Sequence, residues 1–237
     1  MKYPEDFINK VICGDSLELM RLIPDKSIDA VICDPPYGID GGRGGQLRDY
    51  KKADYNCFDD TPEYIKTVCV PVINECLRIA KTVVLTPGSR CLTFYPPPDD
   101  MGCFYQPASS RMGRFGFQSC QPIFYYGYYK NRGKGGLPTG IILTEQSESN
   151  GHPCPKPIKA WTWLVERSTS TADIILDPFL GSGTTAVAAI RTGRQFIGFE
   201  IDPHYCEIAE RRIRDEQSKI PIPFDEPAQP TQEELPL

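Results

Sequence analysis

Short apolar segments alternate with helix-like segments at both ends of this chain of 237 residues. The segment 11–33 is predicted to form a strand, a short helix and a second strand, and the segment 157–217 repeats this alternation. Strands joined in this way usually pair in parallel, which predicts an α/β fold. The predicted strands are 11–13, 28–33, 82–88, 173–178 and 195–202, and the predicted helices are 16–22, 60–80, 157–170, 184–192 and 203–217. Pro71 is expected to kink the second of these helices, whose apolar stripe is Ile65, Val68, Val72, Cys76 and Ala80.

The composition excludes several classes of protein. No apolar run approaches the roughly 20 residues that span a bilayer. The first ten residues lack the apolar core of a signal peptide, so we expect a cytoplasmic protein. The ten cysteines form no C-x2-C pair, and His152 and His204 are the two histidines, so we predict reduced thiols and no metal site.

The segment 101–143 contains no acidic residue although the whole chain has a net charge of −5. It combines basic residues with nine aromatic residues, and this combination is typical of nucleic-acid surfaces. The alternative is that Phe115, Phe117, Phe124 and Tyr126 are core residues of strands. A glycine-rich segment at 38–52 is a candidate mobile loop that closes over a flipped base, or else a solvated, disordered loop. The candidate DNA-binding residues are Arg43, Arg48, Arg111, Arg114, Lys130, Arg132 and Lys134.

The stretch "ILDPFLGSGTTAVAAI" places Gly181 and Gly183 between an apolar strand and a helix. Glycines there let the backbone approach a ligand, and Glu200 at the end of the next strand could bind the hydroxyls of a ribose. The same letters fit the dinucleotide fingerprint G-x-G-x-x-A, so a nicotinamide-dependent oxidoreductase is the alternative from a different class. Asp177, however, would repel a pyrophosphate and could hold an ammonium group. These residues therefore favour S-adenosylmethionine, with Phe179 and Thr184 completing the predicted site.

The stretch "VICDPPYGID" ends a buried strand with an acid, two prolines and a phenol ring. An exocyclic amine of a nucleobase is a poor nucleophile, because its lone pair is delocalised into the ring. Asp34 and the carbonyl of Pro35 could accept its two N–H bonds and direct the lone pair at a methyl group. Pro35 and Pro36 fix the backbone, and Tyr37 offers a ring for stacking. A base inside a duplex is out of reach and has to be flipped out.

Together, "DPPY" (34–37) and "DPFLGSGTT" (177–185) resemble the motifs of the amino-methylating DNA methyltransferases. Their order, with the catalytic motif first, is that of the β group. The resemblance extends to 14–38, to "GHPCPKP" (151–157) and to 193–213. It implies a Rossmann-like, S-adenosylmethionine-dependent methyltransferase fold with a mostly parallel seven-stranded sheet, one reversed strand, and the Asp34 and Asp177 strands as neighbours. It also implies that Asp15 contacts the cofactor adenine, and that His152, Lys156 and Pro157 line the methionine end.

The predicted organisation is one catalytic domain (1–220) with a target-recognition insertion at about 95–150, followed by a disordered acidic, proline-rich tail (221–237). The predicted activity is site-specific transfer of a methyl group to N6 of adenine in double-stranded DNA, as in restriction–modification. N4-cytosine methylation fits the same geometry, and an RNA or protein amide methyltransferase is a further alternative. A 5-methylcytosine enzyme would use a cysteine such as Cys154. The sequence leaves open whether the protein forms a homodimer.

Overall fold

The computed structural model describes residues 1–39, 60–107, 112–113, 116–127, 138–144 and 156–219. Most strands belong to one sheet, and helices cover both of its faces. The strands are β1 (Lys10–Cys13), β2 (Ile28–Cys33), β3 (Ala80–Leu85), β4 (Asp100–Tyr105), β5 (Met112–Gly113), β6 (Gly116–Phe117), β7 (Cys120–Gly127), β8 (Ile141–Ile142), β9 (Ile174–Asp177) and β10 (Gln195–Glu200). The α-helices are α1 (Ser16–Met20), α2 (Pro62–Tyr64), α3 (Val70–Ile79), α4 (Ile158–Ser168), α5 (Thr184–Arg191) and α6 (Pro203–Gln217).

The main sheet has the order β1-β10-β9-β2-β3-β7-β4-β8, and β5 and β6 form a separate pair. Within it, β7 runs antiparallel to both of its neighbours, and the other pairs are parallel. The predicted α/β class and the single reversed strand are confirmed. The prediction of seven strands is wrong for the described residues, which form eight. The additional strand is the two-residue β8, which pairs with the end of β4.

Strand β2 lies between β3 and β9 and is buried on both faces. Val31 and Cys33 point into the core beneath α1 and α3, whereas Ala30 and Ile32 point into the core beneath α4 and α5. Burial on two faces explains why residues 30–33 of β2 form a continuous apolar run without alternation, after the half-buried Asp29. Because β2 and β9 are parallel neighbours, Asp34 and Asp177 lie at the same edge of the sheet, as predicted.

The helical segment before β3 contains a π-helical turn at Ile65–Cys69, directly before α3. The N–H of Val70 donates to the carbonyl of Ile65, five residues earlier. Pro71 has no N–H and its ring would clash with the carbonyl four residues back, so the wider turn accommodates it. At the predicted kink, the helix therefore has one more residue in its turn than a regular α-helix has. That residue moves burial from Val68, which is half-buried, to Cys69, which is buried.

The described part of the range 95–150 supplies β4, β7 and β8 of the main sheet. Phe104, Phe124 and Tyr126 are buried there, so the alternative of core aromatics holds for Phe124 and Tyr126. The seven predicted DNA-binding residues lie outside the described residues, as do His152, Cys154, most of the loop 38–52 and the tail 221–237. Over the described ranges, no helix combines the length and apolar character needed to cross a membrane.

Candidate active site

The carboxylate of Asp34, directly after β2, has three partners. The hydroxyl of Tyr37 donates to its Oδ1 atom across 2.5 Å, and the hydroxyl of Thr86 donates to the same oxygen. The ammonium group of Lys156 forms an ion pair with Oδ2. The side chains of Asp34 and Lys156 are 14% and 22% exposed, so solvent screens this pair only weakly. Asp34 is thereby held in one orientation.

The Tyr37 hydroxyl joins two further side chains to this network. It accepts hydrogen bonds from Gln121 Nε2 at 2.5 Å and from Lys156 Nζ at 3.0 Å. Burial and the nearby charge of Asp34 raise the pKa of Tyr37 well above its usual range, so the phenol stays neutral and donates to Asp34. Burial alone would lower the pKa of Lys156, but Asp34 and Tyr37 raise it above its usual range. Lys156 is therefore an ammonium ion.

Two glycines fix the Tyr37 ring and the turn that follows it. Gly88 has a φ of +68°, and a Cβ atom there would lie 2.6 Å from Cγ of Tyr37, so the Gly88 backbone packs directly against the ring. Gly38 has a φ of +70°, and its N–H donates to Asp60 at 2.6 Å. Pro35 is buried and Pro36 is half-buried. The ring is thus fixed at its hydroxyl end and at its Cβ end.

Two buried carboxylates lie at the ends of the neighbouring strands β9 and β10. Asp177 accepts a hydrogen bond from the N–H of Phe179 at 2.9 Å and from the hydroxyl of Thr185 at 2.5 Å. Glu200 accepts from the N–H of Gly181 at 2.7 Å and from the N–H of Asp202 at 2.9 Å. Each carboxylate therefore stabilises the turn beside it, in addition to any ligand that it binds.

Burial raises the pKa values of both acids. Asp177 is 4% exposed, and burial raises its pKa to about 7, with the charges of Asp34 and Glu200 adding to the effect. Burial also raises the pKa of Glu200. Asp177 lies close enough to Asp34 and Glu200 to be influenced by their charges, and such a group of carboxylates suits a ligand with cationic groups and opposes a pyrophosphate. This edge of the sheet therefore fits the sulfonium and ammonium groups of S-adenosylmethionine.

The glycine-rich turn between β9 and α5 has two residues in the left-handed region, Gly181 with φ +53° and Gly183 with φ +84°. A Cβ atom on Gly183 would lie 3.0 Å from Cβ of Ala209, so α6 packs closely behind the turn. Arg212 of α6 donates to Ser182 Oγ at 3.1 Å and to the hydroxyl of Thr184 at 3.3 Å. Thr184, predicted to bind the cofactor, is therefore hydrogen-bonded to α6.

The other residues predicted to bind the cofactor have structural contacts as well. Asp15 caps α1 by accepting from the N–H groups of Leu17 and Glu18, and it is exposed. Next to it, the hydroxyl of Ser16 donates to the carbonyl of Pro178 at 2.5 Å, which ties α1 to the "DPF" turn. Pro157 is the N-cap residue of α4. Lys156, predicted at the methionine end, contacts Asp34 and Tyr37.

Sequence reasoning missed three residues of the site, namely Thr86, Gly88 and Gln121. Thr86 and Gly88 belong to "TPG" (86–88), which directly follows β3, the strand beside β2. A polar residue and a glycine at the end of a neighbouring parallel strand were a usable signal. No sequence signal indicated Gln121, because it reaches Tyr37 only through the antiparallel pairing of β7 with β3. In the part of the chain that is described, no group of three or more His, Cys, Asp or Glu residues could hold a metal ion.

Comparison of the fold defines the class of protein. The structure of M1.HpyAVI in complex with S-adenosylmethionine aligns with a TM-score of 0.61 and 20% identity, covering 86% of this chain and 98% of that chain. The PvuII DNA methyltransferase, described as cytosine-N4-specific, aligns with a TM-score of 0.58 and 19% identity, covering 88% and 90%. The fold is that of these methyltransferases, which confirms the predicted Rossmann-like methyltransferase fold.

Sequence comparison agrees with this class. Residues 122–211 match a family model described as DNA methylase, N6_N4_Mtase. The chain is 28% identical over 221 residues to YubD of Escherichia coli (strain K12), covering 87% of this chain and 90% of that protein. It is 27% identical over 251 residues to the type II methyltransferase M.HinfI of Haemophilus influenzae, covering 89% and 69%. The predicted resemblance to the amino-methylating DNA methyltransferases is confirmed, and the matches support S-adenosylmethionine as the cofactor.

Proposed function

We propose that this protein is a site-specific DNA methyltransferase that transfers the methyl group of S-adenosylmethionine to N6 of an adenine flipped out of double-stranded DNA. The observation that carries the proposal is the adjacency of β2 and β9, whose register pairs Val31 with Leu176. This pairing brings Asp34 and Tyr37 to the same edge of the sheet as the glycine-rich turn. An amine-binding site and a cofactor-binding site there open into one cleft.

The residues after β2 orient the amine of the base. Asp34 and the carbonyl of Pro35 accept its two N–H hydrogens, which directs the nitrogen lone pair away from the ring. Since Thr86 and Tyr37 already fix the Asp34 carboxylate, the acceptor is oriented before the base enters, and little entropy is lost on binding. The Tyr37 ring, packed against Gly88, supports the base by stacking.

The residues at the ends of β9 and β10 hold the cofactor, which supplies an electrophilic methyl group when bound. Glu200 binds the ribose hydroxyls, and Asp177 offsets the positive charge of the ammonium group. The charge of Glu200 raises the pKa of Asp177, and a cationic ligand relieves this repulsion. The same charges disfavour a nicotinamide dinucleotide, because its pyrophosphate is anionic.

We propose adenine as the target base because "DPPY" is the usual form of the motif in N6-adenine enzymes of the resembled family. N4-cytosine is the second candidate, since its amine makes the same two hydrogen bonds. The basic residues of 38–52 and 101–143 are proposed to contact the phosphates of the DNA, and the range 95–150 to contribute to target recognition.

The test is to incubate the protein with unmethylated DNA and S-adenosylmethionine, digest the DNA to nucleosides and separate the products. N6-methyladenine is the expected product. Detection of N4-methylcytosine instead would show that cytosine is the target base. Binding of two ligands is then measured by calorimetry. We expect the protein to bind S-adenosylhomocysteine tightly and not to bind NADH. Binding of NADH with no methylated nucleoside would point to the oxidoreductase and overturn the proposal.

A further inference from the structure

Lys156 lies where a bound amine is expected. Its Nζ atom forms the ion pair with Asp34 Oδ2 and lies 4.8 Å from the centre of the Tyr37 ring. We propose that this ammonium group occupies the amine position in the base-free protein, so that Lys156 has to leave Asp34 before a base binds. The inference rests on the proposed function and adds an internal competitor to it.

The hydrogen bonds of Asp34 support a competition. Its Oδ1 atom already accepts from the hydroxyls of Tyr37 and Thr86, which leaves Oδ2 for an incoming amine. Lys156 takes Oδ2 with a charged donor, and a charge-assisted hydrogen bond is stronger than one from a neutral amine. A base that donates to Oδ2 while stacked on Tyr37 needs the space that Nζ fills.

The charge of Lys156 supports the same conclusion. The nitrogen that accepts the methyl group carries a positive charge until it loses a proton. A neighbouring ammonium ion would oppose this charge in a site with little solvent. Departure of Lys156 therefore benefits both the binding of the base and the reaction. Its flexible four-carbon side chain is 22% exposed, so a route to solvent exists.

The inference predicts an order of affinities for target DNA. Lys156→Met removes the competitor, and if Lys156 occupies the site in nine molecules of ten, affinity rises about tenfold. Lys156→Arg, which can pair with Asp34 through two hydrogen bonds, should bind target DNA more weakly than the wild type. Lys159→Met is the matched control, because Lys159 lies on α4 and is exposed, so its loss changes the net charge equally.

The experiment uses a labelled duplex that contains the modified site, mapped first with the wild type, and a duplex without the site. Fluorescence anisotropy in the presence of S-adenosylhomocysteine measures both affinities. Tighter binding by Lys156→Met, confined to the target duplex, is expected. Weaker binding by Lys156→Met with recovery in Lys156→Arg would overturn the inference, because Lys156 would then assist the base.

Two controls separate the inference from other roles. Calorimetry should show equal S-adenosylhomocysteine affinity for the wild type and Lys156→Met, and a loss would assign Lys156 to the cofactor and overturn the inference. If Lys156→Met does not fold by thermal melting, Lys156→Gln removes the same charge in a polar side chain. Absence of methylated nucleosides with the wild type refutes the proposed function, whereas a reversed order of variants with an active wild type refutes only the inference.

Discussion

Substitution of Gly88 by alanine tests whether the position of the Tyr37 ring controls the reaction. The added Cβ would lie 2.6, 2.7 and 3.0 Å from three Tyr37 atoms, whereas carbon atoms in contact prefer about 3.5–4.0 Å. The ring therefore has to move by roughly 1 Å. A displacement of this size in a catalytic site can lower the rate about 100-fold. In addition, an alanine at the left-handed φ of +68° lowers the free energy of unfolding by about 1 kcal/mol.

Gly193→Ala is a matched control, because Gly193 has a φ of +71° and its Cβ would meet only Thr171, at 3.4 Å. Both variants should lose about 1 kcal/mol of unfolding free energy in urea titrations from the backbone alone, and Gly88→Ala more. Only Gly88→Ala should lose about 100-fold in kcat/KM for DNA methylation, with S-adenosylhomocysteine binding retained. Equal activity of the two variants would refute the role assigned to the ring.

Three further predictions concern the acids of the site. Asp34→Ala should lower methyl transfer at least about 100-fold in a radiolabel assay while S-adenosylhomocysteine still binds, and retained turnover would contradict the amine-binding role. Glu200→Ala should weaken S-adenosylhomocysteine about tenfold or more in calorimetry, because two backbone donors and the ribose lose their acceptor; unchanged affinity would remove Glu200 from the cofactor site. The pKa of Asp177 rises from 3.8 to about 7 on folding, so the folded state binds its proton more tightly. The unfolding free energy should therefore fall by an amount on the order of 4 kcal/mol as pH rises from about 4 to 7, and stay low above. Asp177→Asn should remove this dependence in urea titrations at several pH values, and an identical pH profile would show that Asp177 is not its source.

The elements that depend on local pattern were predictable from the sequence. Strand β2 has the predicted bounds of 28–33, and the glycines at 181 and 183 mark the turn before α5. The burial of Cys69 in place of Val68 was not predictable, because helical periodicity assumes a constant number of residues per turn. Pro71 predicted a kink in this helix, but the π-helical turn that accommodates the proline depends on packing against the sheet.

The positions of candidate site residues were predictable where neighbouring residues belong to one motif, as with Asp34 and Tyr37, which are in contact after β2. It was not predictable where a contact depends on the order of the strands. Gln121 meets Tyr37 across 84 residues of sequence, and Lys156 meets it across 119. The resemblance predicts Lys156 at the methionine end of the cofactor, and the structure adds an ion pair with the half-buried Asp34 that the sequence did not indicate. Long-range electrostatics of this kind leave no periodic signal in a sequence.

The position of β2 between β3 and β9 has a consequence for synthesis on the ribosome. Its partner β3 emerges about 50 residues after it, but β9 pairs with Ala30 through Ile175, 145 residues later. Throughout that interval the nascent chain has an apolar strand with one open edge, which is a template for association with other chains. The strand that precedes Asp34 is therefore translated early but gains its second neighbour late. Until translation passes residue 177, the partner that closes this edge in the folded protein does not exist.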